Sequence, residues 1–114
     1  MTHATTYDQD LLPAPAVAEA LDGKLTRGRM PTDAVHVTVN ARPAAVEGDK
    51  VNLWLTGSGK EYVEGLTVGA AGSVVFSVPA DTLPAAPAKV NVSYHLHRST
   101  QLVGVSAVLH LTVA

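Results

Sequence analysis

The sequence predicts an all-β fold in which two antiparallel sheets pack face to face, and three observations predict it. Apolar and polar residues alternate with a period of two along most of the chain from residue 35 onward, as in strands with one buried face. Valine is as frequent as alanine, at 17 each, beside 11 threonines and no isoleucine, and β-branched side chains suit a pleated surface. Most of the nine glycines and seven prolines fall between the alternating runs, where turns belong.

Residues 1–11 (MTHATTYDQDL) show no period and are expected to form a disordered N-terminal tail ahead of one folded unit, residues 12–114. Leu12-Pro13-Ala14-Pro15 cannot lie in a central strand, because each proline removes a ladder donor. Residues 16–21 (AVAEAL) suit an extended edge strand or an alanine-rich helical turn ending at Asp22-Gly23. Val35, Val37 and Val39 then open the clear alternation, and Val51, Leu53 and Leu55 resume it after the Gly48-Asp49 turn. Gly57-Ser58-Gly59 marks a second turn, and residues 61–68 form a weaker strand interrupted by Gly65. Val74, Phe76 and Val78 follow, and Leu83-Pro84-Ala85-Ala86-Pro87 reads as a crossover loop. Val90, Val92, Tyr94 and Leu96 form the next apolar face. Val103, Val105, Ala107, Leu109, Leu111 and Val113 form the last.

The final two strands permit a register. A tight turn at Ser99-Thr100 pairs Arg98 with Gln101. The ladder then sets Leu96 against Val103, Tyr94 against Val105, Val92 against Ala107 and Val90 against Leu109. About seven short strands, each with one apolar face, hide those faces in an immunoglobulin-like antiparallel β-sandwich. Its core is expected to comprise Val35, Val37, Val39, Val51, Leu53, Leu55, Val74, Phe76, Val78, Val90, Val92, Tyr94, Leu96, Val105, Ala107, Leu109 and Leu111, with the Tyr94 hydroxyl hydrogen-bonded.

The segments LPAPAVAEALDGKL (12–25), HVTVN (36–40), EGDKVNLWLTG (47–57), SVVFSVPADTL (73–83), KVNVSYHLHR (89–98) and SAVLHLTV (106–113) together resemble the bacterial Ig-like repeats of large proteobacterial surface and adhesin-like proteins. The likeness runs from Leu12 to Val113 and lies in turn and core positions, so it speaks to fold far more than to activity. Two departures stand out. The family comes in tandem arrays, whereas this sequence carries one copy starting at its own Met1. The family also places an aromatic where this chain has Leu55, with tryptophan one residue earlier at Trp54. The resemblance implies a cell-surface or secreted role as a spacer, adhesive unit or exposed antigen. Met1-Thr2-His3-Ala4 lacks the cationic start and apolar stretch of a signal peptide, so export is expected to use another route or a longer parent chain.

Composition narrows the chemistry. The chain has no cysteine, which excludes disulfides, thiolate metal sites and cysteine nucleophiles. Eight basic against ten acidic residues leave a net charge of -2, so no basic footprint for nucleic acid exists. No apolar run reaches the length of a membrane span. Gly57-Ser58-Gly59-Lys60 is not a phosphate loop, because Trp54 and Glu61 stand where that motif needs glycine and Ser or Thr. Gly104-Val105-Ser106 is not a nucleophile elbow, since Val108 replaces the closing glycine. Asn91-Val92-Ser93 fits a glycosylation acceptor but lies mid-strand.

His95 and His97 project to one face of a strand, a spacing that metals use, but the register sets Leu102 and Gly104 opposite them and His110 near Lys89. No carboxylate occurs in residues 82–114 to act as a third ligand, so two solvated histidines are expected, without metal or cofactor. Strict alternation turns Trp54 away from the core. Trp54, His95, His97 and Leu102 could then share one outer patch of the kind that meets partners. The expected function is a non-catalytic Ig-like structural or interaction module, or alternatively a carbohydrate- or other ligand-binding module built around Trp54. The expected partner is a protein or glycan, with no nucleic acid, no membrane insertion and a monomeric chain.

Overall fold

The computed structural model describes residues 11–26, 34–41 and 44–114. The expected tail over residues 1–11 lies outside this range except for Leu11, which is exposed. The described residues form nine strands and no α-helix: β1 (Ala16–Val17), β2 (Lys24–Leu25), β3 (Ala34–Asn40), β4 (Lys50–Gly57), β5 (Lys60–Thr67), β6 (Ser73–Pro79), β7 (Ala88–Arg98), β8 (Gln101–Val105) and β9 (Leu109–Val113). Residues 16–21, open between strand and helical turn, begin as strand β1 and continue into a turn.

A three-stranded sheet has the order β1-β3-β6, and a six-stranded sheet the order β2-β9-β7-β4-β5, with β8 also on β7. The two sheets pack together because each presents one apolar face. Val35, Val37 and Val39 of β3 and Phe76 and Val78 of β6 are essentially inaccessible, as are Val51, Leu53 and Leu55 of β4 and Val90, Val92, Tyr94 and Leu96 of β7. Val17, Leu25, Ala41, Ala45, Val68, Leu83 and Val113 join the same cluster. Apart from Val113, which ends the alternating run of β9, they stand in two-residue strands and loops too short for a period to show.

The β4–β5 hairpin turns through Ser58 and Gly59, both with positive φ (49° and 81°), the mirror-image turn that matches strand twist. This is the Gly57-Ser58-Gly59-Lys60 segment, a strand connection as its sequence implied.

The last strand pair departs from the expected register. Arg98 does pair with Gln101, and His97 with Leu102, but Val103 is then skipped, so that Gly104 faces Leu96 and Val105 faces His95. A second one-residue shift follows, and β9 resumes with Leu109 against Val92 and Leu111 against Val90. The cause is a competing segment. The Leu12 amide donates to the Val105 carbonyl (2.9 Å), and the Ala107 amide donates to the Leu12 carbonyl (2.9 Å). The Leu12 side chain fills the space over Gly104. Between the two shifts the parity is reversed. Ser106 turns inward, where its hydroxyl accepts from the Tyr94 amide (2.9 Å) and donates to the Ala107 carbonyl (2.8 Å). Val105 and Ala107, expected in the core, are therefore only partly buried, and Leu109 packs at its margin.

Two polar clips tie loop or turn residues to strands. Asp49 is 2% exposed, and the Arg98 guanidinium grips it through Nε and Nη2 at 2.8 Å each, while the Val46 amide donates to the same carboxylate (3.0 Å). These hydrogen bonds, Arg98 first, hold the Asp49 carboxyl below its ordinary range against the opposing effect of burial. On the other sheet, Glu19 accepts from the His36 amide (2.8 Å) and lies 2.6 Å from His36 Nδ1. Burial pushes Glu19 upward, but those bonds prevail and its carboxyl stays below the usual value.

Candidate functional site

The outer face of the six-stranded sheet carries Trp54, His95 and His97. Because Val51, Leu53 and Leu55 turn inward, the intervening Asn52 and Trp54 turn outward, both partly buried by neighbours on the sheet. Pairing sets the rows. Trp54 lies between Val63 on β5 and Ser93 on β7; Asn52 lies between Gly65 and His95; Lys50 lies between Thr67 and His97. Beyond β7, Val105 stands beside His95 and Leu102 beside His97. Trp54, His95, His97 and Leu102 thus occupy one face. The Trp54 and His95 ring centroids are 4.6 Å apart with planes tilted by 41°, and the His95 and His97 rings are 6.4 Å apart. Val63 and Leu102 flank this core at 48% and 55% exposure, giving an apolar strip with an aromatic centre.

The strip has few charges of its own. Burial beside Trp54, and then the proximity of His97, lower the pKa of His95, so its neutral ring is the form that rests on the indole. Lys50 lies beside it, with its stem and ammonium across Gly65; a Cβ there would stand 2.7 Å from Lys50 Cε and 2.8 Å from Asn52 Oδ1.

Val63 and Val105 belong to the strip but escaped the sequence reading. Val63 was within reach, because a two-residue turn at Ser58-Gly59 already sets Trp54 against Val63. Val105 was not, since its outward position follows from the skipped residue. Gly104, expected opposite His95, faces Leu96 instead.

Other chemistry is sparse. Among the described residues no group of three or more His, Cys, Asp or Glu side chains could hold a metal. His110 pairs with Asn91 rather than Lys89, with its Nδ1 2.7 Å from Asn91 Oδ1. On the inward side of β5 the Tyr62 hydroxyl donates to Glu64 at 2.5 Å, and that bond, aided by burial, pushes the phenol up to about 12. The buried Tyr94 hydroxyl donates to the Pro13 carbonyl (2.6 Å), and burial pushes its pKa to about 12 as well. A shallow depression of about 440 Å³ beside β2 is lined by Leu21, Asp22, Lys24 and Thr26, away from the aromatic strip. No described helix is long and apolar enough to cross a membrane. No family model, curated protein or solved structure matches the chain.

Proposed function

We propose that the chain is a non-catalytic Ig-like module of a bacterial surface-associated or secreted protein, and that it works by binding a macromolecular partner through the outer face around Trp54. The Ig-like assignment draws support from a three-stranded sheet packed on a larger one and from a first strand divided between them, with β1 on β3 and β2 parallel to β9. The resemblance of the 12–113 segments to bacterial Ig-like repeats supplies the surface setting.

The observation that carries the binding reading is the Trp54–His95 pair, mounted on two central strands and bordered by the exposed Val63 and Leu102. A tryptophan at the centre of an apolar strip with a polar surround has the composition of a binding hot spot. Sheet strands hold it still, so little ordering entropy opposes association.

The carbohydrate reading also has an observation in its favour: Asn52, Ser93 and His95 place hydrogen-bonding groups around the indole. It ranks second because the tilted His95 ring leans against Trp54 at 4.6 Å and narrows the shelf on which a sugar ring would stack.

Binding of the purified chain to arrays of glycans and of surface proteins tests both. Saturable protein binding that Trp54→Ala abolishes, with unchanged circular dichroism, supports the leading reading, and saturable glycan binding with the same dependence transfers the assignment to the second. Reproducible turnover of an ester, phosphate, peptide or glycoside substrate, abolished by one substitution in this chain, would overturn both.

A further inference from the structure

The longest free strand edge among the described residues belongs to β5. It has eight residues, ends the six-stranded sheet and pairs only with β4. The other terminal strands are shorter: β1 and β2 have two residues each, and β6 has seven and closes at Pro79. In a two-residue hairpin the closing pair, here Gly57 and Lys60, is hydrogen-bonded, and bonded pairs then alternate. Lys60, Tyr62, Glu64 and Leu66 therefore spend their backbone groups on β4. Glu61, Val63, Gly65 and Thr67 direct theirs outward, away from β4, and among the described residues no strand pairs with them. The Lys60 end of the strand lies near the turn at residues 80–82, where the Lys60 ammonium donates to the Asp81 carbonyl (3.1 Å). Such a row is a template for another strand unless something blocks it.

We infer that β5 is a self-pairing edge: two copies of this chain join their β5 strands antiparallel about a two-fold axis through Val63, forming one continuous sheet. The axis follows from charge and from shape. With Val63 opposite Val63 of the second copy, Glu61 comes to lie opposite the second copy's Gly65, and Gly65 opposite the second copy's Glu61. Gly65 is the residue that Lys50 covers, with its ammonium 3.5 Å from where a Cβ would stand. Each Glu61 carboxylate, exposed in the single chain, thus meets the Lys50 ammonium of the other copy, twice by symmetry. Glycine at position 65 leaves room for that meeting.

The neighbouring axes are worse. An axis through Glu64 sets two like carboxylates against each other, and one through Tyr62 sets Glu61 against Val63 and leaves Lys50 without a partner. The Val63 axis also joins the apolar strips, since Trp54 lies beside Val63 on the same face. About six backbone hydrogen bonds form across the junction. This inference replaces the monomer expected from the sequence. It rests on the β5 edge alone and not on the Ig-like or Trp54 readings, so a failed partner screen leaves it standing.

Sedimentation equilibrium of the full chain tests it. The wild type should dimerise, and Glu61→Lys, which sets like charges together at both symmetric positions, should weaken the dimer about tenfold or more. Adding Lys50→Glu to that variant should recover most of the loss, a rescue that a general folding defect cannot produce. The chain has no cysteine, so Val63→Cys offers a clean second measurement. Bonded pairs in antiparallel strands stand about 5.5 Å apart at Cα, within disulfide range. Oxidation should link two chains through Val63→Cys and leave Thr56→Cys, on the same face but away from the edge, unlinked. A monomer at every concentration, a dimer indifferent to Glu61→Lys, or no link through Val63→Cys would each overturn the inference.

Discussion

The two flanks of β7 obey different rules. On one side it pairs with β4 without a break, from Lys50–His97 to Thr56–Asn91, and every inward residue meets an inward residue. On the other side the pairing slips by one residue after His97 and by one more before β9. The first flank has a single neighbour along its length. The second is contested by the Leu12 segment, which takes the hydrogen bonds of Val105 and Ala107. Alternation predicts which way a side chain points only while one strand has one neighbour. Where a third segment competes, the face reverses.

Substitutions can sharpen that contrast. The largest loss is expected on the straight flank: Leu53→Ala, opposite Tyr94 in a fully buried position, should cost about 2–5 kcal/mol in chemical denaturation. A cost under 1 kcal/mol would mean that this flank is not the rigid one. On the slipped flank the counterpart is Ser106→Ala, which strips the buried Tyr94 amide of its hydroxyl acceptor and should cost about 1–3 kcal/mol. Tyr94→Phe removes the bond to the Pro13 carbonyl and should cost about 1 kcal/mol. Its diagnostic effect is local. Amide exchange should accelerate at Leu12 and Ala107 and stay unchanged along β4.

Acid offers a finer probe of the straight flank, whose end is clipped by Asp49 and Arg98. The folded-state pKa of Asp49 is lowered, so its contribution is complete above the ordinary value of 3.8 and is lost as pH falls through the depressed folded value. Arg98→Gln should lower stability near neutral pH, and the gap from the wild type should close as the pH drops below that range. A gap that persists in strong acid would assign Arg98 a packing role instead.

The smallest effect is spectroscopic. His95 titrates below the ordinary 6.5, so the Trp54 emission should change only as the pH falls beneath that value. Replacing His97 with Gln removes a charge that opposes protonation of His95 and should move the midpoint upward. An emission curve insensitive to both histidines would separate Trp54 from His95 in solution.

The same contrast explains how much of the molecule its sequence discloses. The sheet faces of β3, β4, β6 and β7, and hence the buried Phe76 and Tyr94 and the outward Trp54, His95 and His97, follow from period two. The inward turn of Ser106 does not, because it depends on Leu12, which is distant along the chain and carries no strand period of its own. The Asp49–Arg98 and Glu19–His36 clips were equally hidden. Each joins a loop or turn residue to a strand residue, Arg98 at the end of β7 and His36 within β3, and no spacing rule connects positions so far apart in sequence. Tyr62 and Glu64 show a further limit: alternation places them on the inner face, but β5 is an edge, and that face is only partly covered.

The two slips after His97 also set a rule for how the length of this stretch can vary. Each slip reverses inside and outside, and because there are two, the second cancels the first. Removing a single residue between Val103 and Val108 would throw Leu109, Leu111 and Val113 into antiphase, turning a hydrophobic edge toward water. Removing a pair would leave those three facing inward and cost only the berth of Leu12. Insertions and deletions here are therefore quantised in steps of two, and odd lengths are the forbidden ones.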